Sequence, residues 1–209
     1  DEVLGCVDND ECTTGNFQCA SGALCENIAG GYRCACEPGT LDLNADGSAC
    51  SRIVKIASGT AHTCAIAQTG GLYCWGSSGS GQLGEGAGNV DRANPVQAGT
   101  ATDWVDIAVG GDTTCGRRGS AAAGTLWCWG RNQFGQVGDG STAVRYDPVQ
   151  VGAATTWSEV DVGHNHACGR LGGALYCWGA NNAGQLGDGT TAPRNTPVPI
   201  ASGFTDWTD

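Results

Sequence analysis

The chain has 209 residues, with 13 cysteines, 36 glycines, no methionine and a formal net charge of −11. That acidic balance, with no basic stripe, argues against a nucleic-acid surface, which needs Lys and Arg to displace phosphate counterions. No apolar run approaches the roughly eighteen residues of a membrane-crossing helix, and no C-x-x-C pair of the zinc-ribbon kind is present, so the cysteines point to an oxidised, extracellular protein.

Charge and thiols are unevenly spread. Residues 1–50 carry nine acids, one base (Arg33) and seven cysteines, whereas residues 51–209 carry twelve acids, nine bases and six cysteines. Two domains are expected, over 6–50 and 51–209. The opening at Asp1, without a leader, reads as a processed or excised segment whose signal peptide has been removed.

In the first domain Cys12, Cys19, Cys25, Cys34, Cys36 and Cys50 fall among few large apolar side chains. Such a segment cannot fold on a core, so bridges or a metal must supply its stability. Spacing alone leaves fifteen connectivities open. The intervening residues say more: "DNDEC" at Asp8–Cys12 and "CENIAGGYRCAC" at Cys25–Cys36. This pattern resembles the calcium-binding epidermal growth factor-like module over residues 8–50, with acidic prefix, mid-module Asn, aromatic and C-x-C in register.

The resemblance implies pairing of Cys12 with Cys25, Cys19 with Cys34, and Cys36 with Cys50. It also implies a Ca2+ ion held by the side chains of Asp8, Glu11 and Asn27 and the carbonyls of Asn9 and Ile28, the oxygen set a hard cation requires. Asp10 is a weaker ligand of the same prefix, and the prefix also reads as a solvated linker. Asn27 lies in a pattern resembling the family's β-hydroxylation signature. Thr40 departs from the family, which usually has an aromatic there. "DLNADG" at Asp42–Gly47 imitates the start of an EF-hand loop, but its twelfth position is Ile53 where a bidentate Glu is required, so a polar turn is expected. Cys6 is left over. It sits where tandem arrays place the last cysteine of a preceding module, and it could otherwise bridge to another chain.

Beyond residue 50 one unit is written three times. The pairs Cys64 and Cys74, Cys115 and Cys128, and Cys168 and Cys177 each precede a glycine-rich tract: "WGSSGSGQLGEG", "WGRNQFGQVGDG" and "WGANNAGQLGDG". Each tract leads to "PV" at Pro95, Pro148 and Pro197, and the first cysteines are 51 and 53 residues apart. Alternating apolar residues and frequent Gly turns predict four short strands per unit, the content of a propeller blade. Cysteines facing each other across two antiparallel strands predict one disulfide per unit, the alternative being buried free thiols.

The tracts resemble the regulator of chromosome condensation repeat, known for seven-bladed β-propellers. The expected fold is therefore all-β, with repeats at about 52–103, 104–156 and 157–206. "DWTD" at Asp206–Asp209 starts a fourth. Three blades cannot close a seven-blade ring, which leaves a longer polypeptide, arcs combined from several chains, or an open arc with capped ends.

Catalytic motifs are missing: no G-x-S-x-G, H-E-x-x-H or G-x-x-x-x-G-K-[ST]. His62 and His166 precede a unit's first cysteine by two residues and read as packing residues; His164 and His166 form H-x-H. Asp139, Asp188 and Glu85 recur at the G-x-G turn, as turn chemistry does. Trp75, Trp129 and Trp178, with Trp104, Trp157 and Trp207, recur at blade positions and are expected to pack between blades, Trp127 standing outside that order. The expected role is a non-catalytic extracellular or surface protein, calcium-stiffened, whose blades bind a protein partner or self-associate, with a filament as one form. The runner-up is a secreted inhibitor or lectin-like binder, and a secreted enzyme is the third.

Overall fold

The computed structural model describes residues 10–15, 18–19, 23–43, 47, 49–86 and 90–201. The chain divides into two compact units, Asp1–Ile53 and Val54–Asp209.

In the first unit a single helical turn, α1 (Glu11–Thr14), opens on Asp10. The Asp10 carboxylate caps the turn by accepting the Thr13 N–H at 3.0 Å, and Gly15 ends it at φ 75°. The hairpin β1 (Ala23–Ile28) and β2 (Gly31–Cys36) follows, in a register that sets Cys25 opposite Cys34 and Asn27 opposite Tyr32. A short β3 (Thr40–Asp42) pairs with the start of β4 (Cys50–Ser58). Disulfides join Cys12–Cys25, Cys19–Cys34 and Cys36–Cys50, with Cα atoms 5.5–5.6 Å apart. Leu41 is the one buried apolar side chain of this unit among the described residues. The bridges therefore stand in for a core, each contributing about 3 kcal/mol by closing a loop of this length in the unfolded chain. At Asp42–Gly47 the Asp42 carboxylate accepts the Gly47 N–H at 2.8 Å, a turn rather than an EF-hand loop; 44–46 lie outside the described residues.

The second unit is a succession of antiparallel four-stranded blades. Blade one consists of the β4 residues from Val54 onward with β5 (His62–Ala67), β6 (Leu72–Gly76) and β7 (Arg92–Gln97). Blade two is β8 (Trp104–Gly110), β9 (Thr113–Gly119), β10 (Gly124–Gly130) and β11 (Arg145–Gln150); blade three is β12 (Trp157–Val162), β13 (His166–Leu171), β14 (Ala174–Gly179) and β15 (Arg194–Pro199). Pro95, Pro148 and Pro197 lie on β7, β11 and β15, the outer strand of each blade. Proline is tolerated there because an edge strand leaves N–H groups without a ladder partner.

Within each blade the second and third strands place two cysteines directly opposite one another. The bonds Cys64–Cys74, Cys115–Cys128 and Cys168–Cys177 bring Cα atoms to 4.1 Å. No described helix is long and apolar enough to cross a membrane.

The apolar core lies between blades. One cluster joins Cys64, Ile66, Leu72, Cys74, Leu83 and Ala98 of blade one to Trp104, Ile107 and Trp129 of blade two. The other joins Leu126, Cys128, Val137 and Val151 of blade two to Trp157, Ala167 and Trp178 of blade three. Each joint is made in one way. Trp129 Nε1 donates to the Gln82 carbonyl at 3.0 Å and Trp178 Nε1 to the Gln136 carbonyl at 2.9 Å, so the indole reaches the glycine tract of the blade before it. The tract must be glycine there: a Cβ on Gly84 would fall 2.6 Å from Trp129 Nε1, and one on Gly138 2.7 Å from Trp178 Nε1.

Trp129, Trp178, Trp104 and Trp157 are buried, as packing between blades requires. Trp75 corrects the expectation: it is only half-buried, because the tract its indole would reach belongs to a blade before the first, which this unit does not contain. Trp207 lies outside the described residues.

Candidate functional site

Around α1 the described residues supply part of the expected calcium set. The Cys12–Cys25 bond ties the helical turn that carries Glu11 to β1, the strand that carries Asn27 and Ile28. Asp8, Asn9 and Cys6 lie outside the described residues. Asp10 is occupied as the helix cap.

Glu11 Oε2 is buried and accepts no hydrogen bond within the protein. A carboxylate oxygen withdrawn from water without a partner is costly unless a cation neutralises it, so this donor set fits a hard, oxygen-seeking ion. Among the described residues alone, no three His, Cys, Asp or Glu side chains cluster closely enough to hold a metal.

The glycine tracts are held by residues that the sequence reading passed over. Asn132 Oδ1 accepts the Val137 N–H at 2.9 Å while its Nδ2 donates to the Ala143 and Ser141 carbonyls at 2.9 and 3.1 Å. Asn181 repeats the pattern with Leu186, Ala192 and Thr190 at 3.0 Å each. Across each loop the acid of the G-x-G turn meets an arginine: Glu85 with Arg92 at 2.8 Å, Asp139 with Arg145 at 2.5 Å, Asp188 with Arg194 at 2.7 Å. Burial works against the Asp139 carboxylate, yet hydrogen bonds from Ser141 and Arg145 hold it below the usual carboxylate range. Hydrogen bonds from Thr190 and Arg194 push Asp188 far down as well. These acids are structural clamps. A signal was present in the recurring R-x-x-P-V that starts at Arg92, Arg145 and Arg194.

Two further polar groups are buried at the joints. Thr114 Oγ1 gives its single proton to the Gln82 carbonyl at 2.8 Å, so His62 Nε2, 2.8 Å from the same oxygen, must be the donor. His62 is thereby the neutral Nε2–H tautomer, its Nδ1 buried without a hydrogen bond. Burial pushes its pKa down to about 4, with Asp112 pulling back part of the shift.

Arg117, 4% exposed, donates to Asp106 at 3.1 Å and to the Trp157 carbonyl at 3.0 Å, and Lys55 also pairs with Asp106. One carboxylate thus gathers a cation from blade one and another from blade two, the second of which reaches blade three. Trp127, out of the repeat order, lies half-buried beneath the Arg118 guanidinium, 4.9 Å from its ring centre.

Comparison with known proteins places this architecture. The family model for the calcium-binding EGF domain matches residues 8–50. The model for the regulator of chromosome condensation (RCC1) repeat matches 69–116, 123–169 and 172–208, and a second RCC1 repeat model matches 53–82. The Ultraviolet-B receptor UVR8 of Arabidopsis thaliana is 36% identical over 101 residues, which make up 47% of this chain and 22% of that protein. The human E3 ubiquitin-protein ligase HERC2 is 31% identical over 118 residues, 56% of this chain and 2% of the ligase.

Among solved structures, Prp20p from Saccharomyces cerevisiae superposes with a TM-score of 0.62 at 21% identity, covering 71% of this chain and 38% of Prp20p. Human WBSCR16 gives 0.62 at 19% identity, covering 81% and 50%. The chain therefore spans half or less of each of these proteins. With repeat models matching more than half of its residues, it belongs to the RCC1 repeat family, with a calcium-binding EGF domain ahead of the repeats.

Proposed function

We propose that this chain is a non-catalytic extracellular or cell-surface interaction protein. Residues 6–50 form a module stiffened by Ca2+ on Asp8, Asn9, Glu11, Asn27 and Ile28, and residues 51–209 present propeller blades to a protein partner or to a second copy. The observation that carries the reading is an exposed apolar strand. Ile56 is 59% exposed, whereas Ile107, at the same place in blade two, is 4% exposed because it packs on blade one. Val54 beside it is 62% exposed. Val54 and Ile56 thus put apolar side chains in solvent on one strand, a surface on which a protein partner or a second copy can pack. Prp20p, whose own binding to Gsp1p and histones is known, shares the fold, which supports a binding role here. The disulfides and the EGF domain support an oxidising location.

Sedimentation of the purified chain across a hundredfold concentration range tests this. A mass that rises with concentration, and falls to the monomer in Ile56→Asp, is expected; for a heterotypic partner, the same variant should lose capture of that partner. A monomer unaffected by Ile56→Asp, with no partner sensitive to it, would refute the reading. Non-reducing electrophoresis separately reports any Cys6-linked species.

A further inference from the structure

The two internal joints act as controls for one another. At the first, Asp112 is engaged twice: Arg131 Nη1 lies 3.7 Å from its Oδ2, and Gln82 Nε2 donates to its Oδ1 at 3.5 Å. At the second joint the matching positions change together. Asn165 replaces Asp112, Ala180 replaces Arg131, His164 replaces Gly111, and Phe134 stands where blade one has Ser80. Both members of the ion pair are gone. Gln136 Nε2 and Asn165 Oδ1, counterparts of the bonded Gln82–Asp112 pair, are each buried and each make no hydrogen bond within the protein.

In place of the ion pair there is a cavity of about 460 Å³, a size typical of small-ligand sites. No carboxylate, ammonium or guanidinium is among its described walls, in a chain of net charge −11. Phe134, Ala180 and Pro193 supply its apolar walls. Other walls carry the amides of Asn165, Asn182 and Gln185; Gln185 is held by the Ala183 N–H at 2.9 Å and by Asn182 Oδ1 at 3.4 Å, which leaves Asn165 Oδ1 without a partner and the Asn182 Nδ2 facing the ligand as a donor. His164, His166 and the Thr191 hydroxyl complete it. A charged ligand would find no counter-charge here, and a purely apolar one would leave Asn165 Oδ1 unpaired. A neutral ring with hydroxyls on its edge and C–H groups on its face satisfies both kinds of wall, the aromatic wall taking the C–H face.

We propose that the cavity beside the joint between the second and third blades is a binding site for a neutral saccharide, seated on Phe134 and hydrogen-bonded by Asn165 and Asn182. This goes beyond the assembly reading, and its test is separable from that one because Phe134, Asn165 and Ala180 belong to the joint between blades two and three, whereas Ile56 is on the first strand of blade one.

The test is a printed array of neutral, sialylated and sulfated glycans, followed by calorimetry with the best-bound neutral oligosaccharide on the intact 209-residue chain. Binding of neutral glycans is expected, weakened about tenfold or more by Phe134→Ala and by Asn182→Ala at unchanged melting temperature. The double substitution Asn165→Asp with Ala180→Arg, which restores the first joint's ion pair, should close the cavity and abolish binding. No neutral glycan bound, a preference for charged glycans, or binding indifferent to Phe134→Ala and Asn182→Ala would overturn the proposal, whether or not the double variant folds.

Discussion

Trp178→Ala is the sharpest probe of how the blades hold together. The side chain is 0% exposed, its ring centre is 5.9 Å from that of Trp157, it lies directly over Gly138, and its Nε1 donates to the Gln136 carbonyl at 2.9 Å. Truncating a buried Trp costs about 3–5 kcal/mol, and leaving the Gln136 carbonyl unpaired adds about 1 kcal/mol. Trp75 occupies the same repeat position but is half-buried, so Trp75→Ala should cost about 1–2 kcal/mol from its lost apolar area. In an array whose stability sums blade terms and nearest-neighbour joint terms, the Trp178 loss falls on one joint. Urea unfolding followed by far-ultraviolet circular dichroism, disulfides intact, should therefore show blade three melting in a separate, earlier transition for Trp178→Ala, with Trp75→Ala shifting the curve only slightly. Equal costs for the two substitutions would refute the claim that the indole–tract contact is what joins blades.

The remaining predictions concern pH, backbone and metal. With the His62 pKa near 4 when folded and about 6.5 unfolded, the unfolded chain binds the proton first as pH falls, so stability is full above about pH 6.5 and declines by about 3 kcal/mol down to pH 4. His62→Gln should flatten that part of the stability profile in denaturant titrations at several pH values. Gly138→Ala places a methyl 2.7 Å from Trp178 at φ 79°, whereas Gly152→Ala meets nothing within 4 Å at φ 63°. The second should cost only the left-handed backbone term of about 1–2 kcal/mol, with the first measurably larger in the same melts. Calcium should slow proteolysis within residues 6–50, and Glu11→Gln should weaken that protection at least tenfold in calcium concentration; protection unchanged by chelation would remove the metal from the account.

What could be read from the sequence was whatever repeats along it. The all-β class, the EGF-like module and the RCC1 repeats follow from "CENIAGGYRCAC" and the three G-Q-[LV]-G tracts, because local spacing encodes turns and strand pairing. The joints were less legible, since their partners are distant in the chain: His62 meets Thr114, and Trp178 meets Gln136, 42 residues away. Asn132, Asn181 and the R-x-x-P-V arginines did recur, but side chains that clamp a loop look like ordinary polar surface until the loop is seen. Trp75 shares a motif with Trp129 and Trp178 yet not their burial, because burial depends on a neighbour that the motif does not encode. The changes at Phe134, His164, Asn165 and Ala180 look like drift between repeats in sequence and become a cavity only when the joint is assembled.

The disulfides and the tryptophans divide the work between them. Each cysteine pair ties β5 to β6, or the matching strands, inside one blade, and no described disulfide crosses a joint. Blade integrity is thus covalent, while cohesion between blades rests on indole, glycine tract and the Lys55–Asp106–Arg117 cluster. The sulfur atoms of blades one and two nevertheless sit in the same apolar clusters as Trp129 and Trp178, so a reductant attacks both. Opening the bridge at Cys115 and Cys128 frees the hairpin β9–β10 that carries Trp129, which should loosen the first joint as well as the blade. Replacing that pair by alanines removes about 3 kcal/mol of chain restraint. The signature of the coupling is an exchange-rate increase at the backbone amides of Gln82–Gly84 as well as within blade two; protection retained at that tract would show that the covalent and the packed parts are independent.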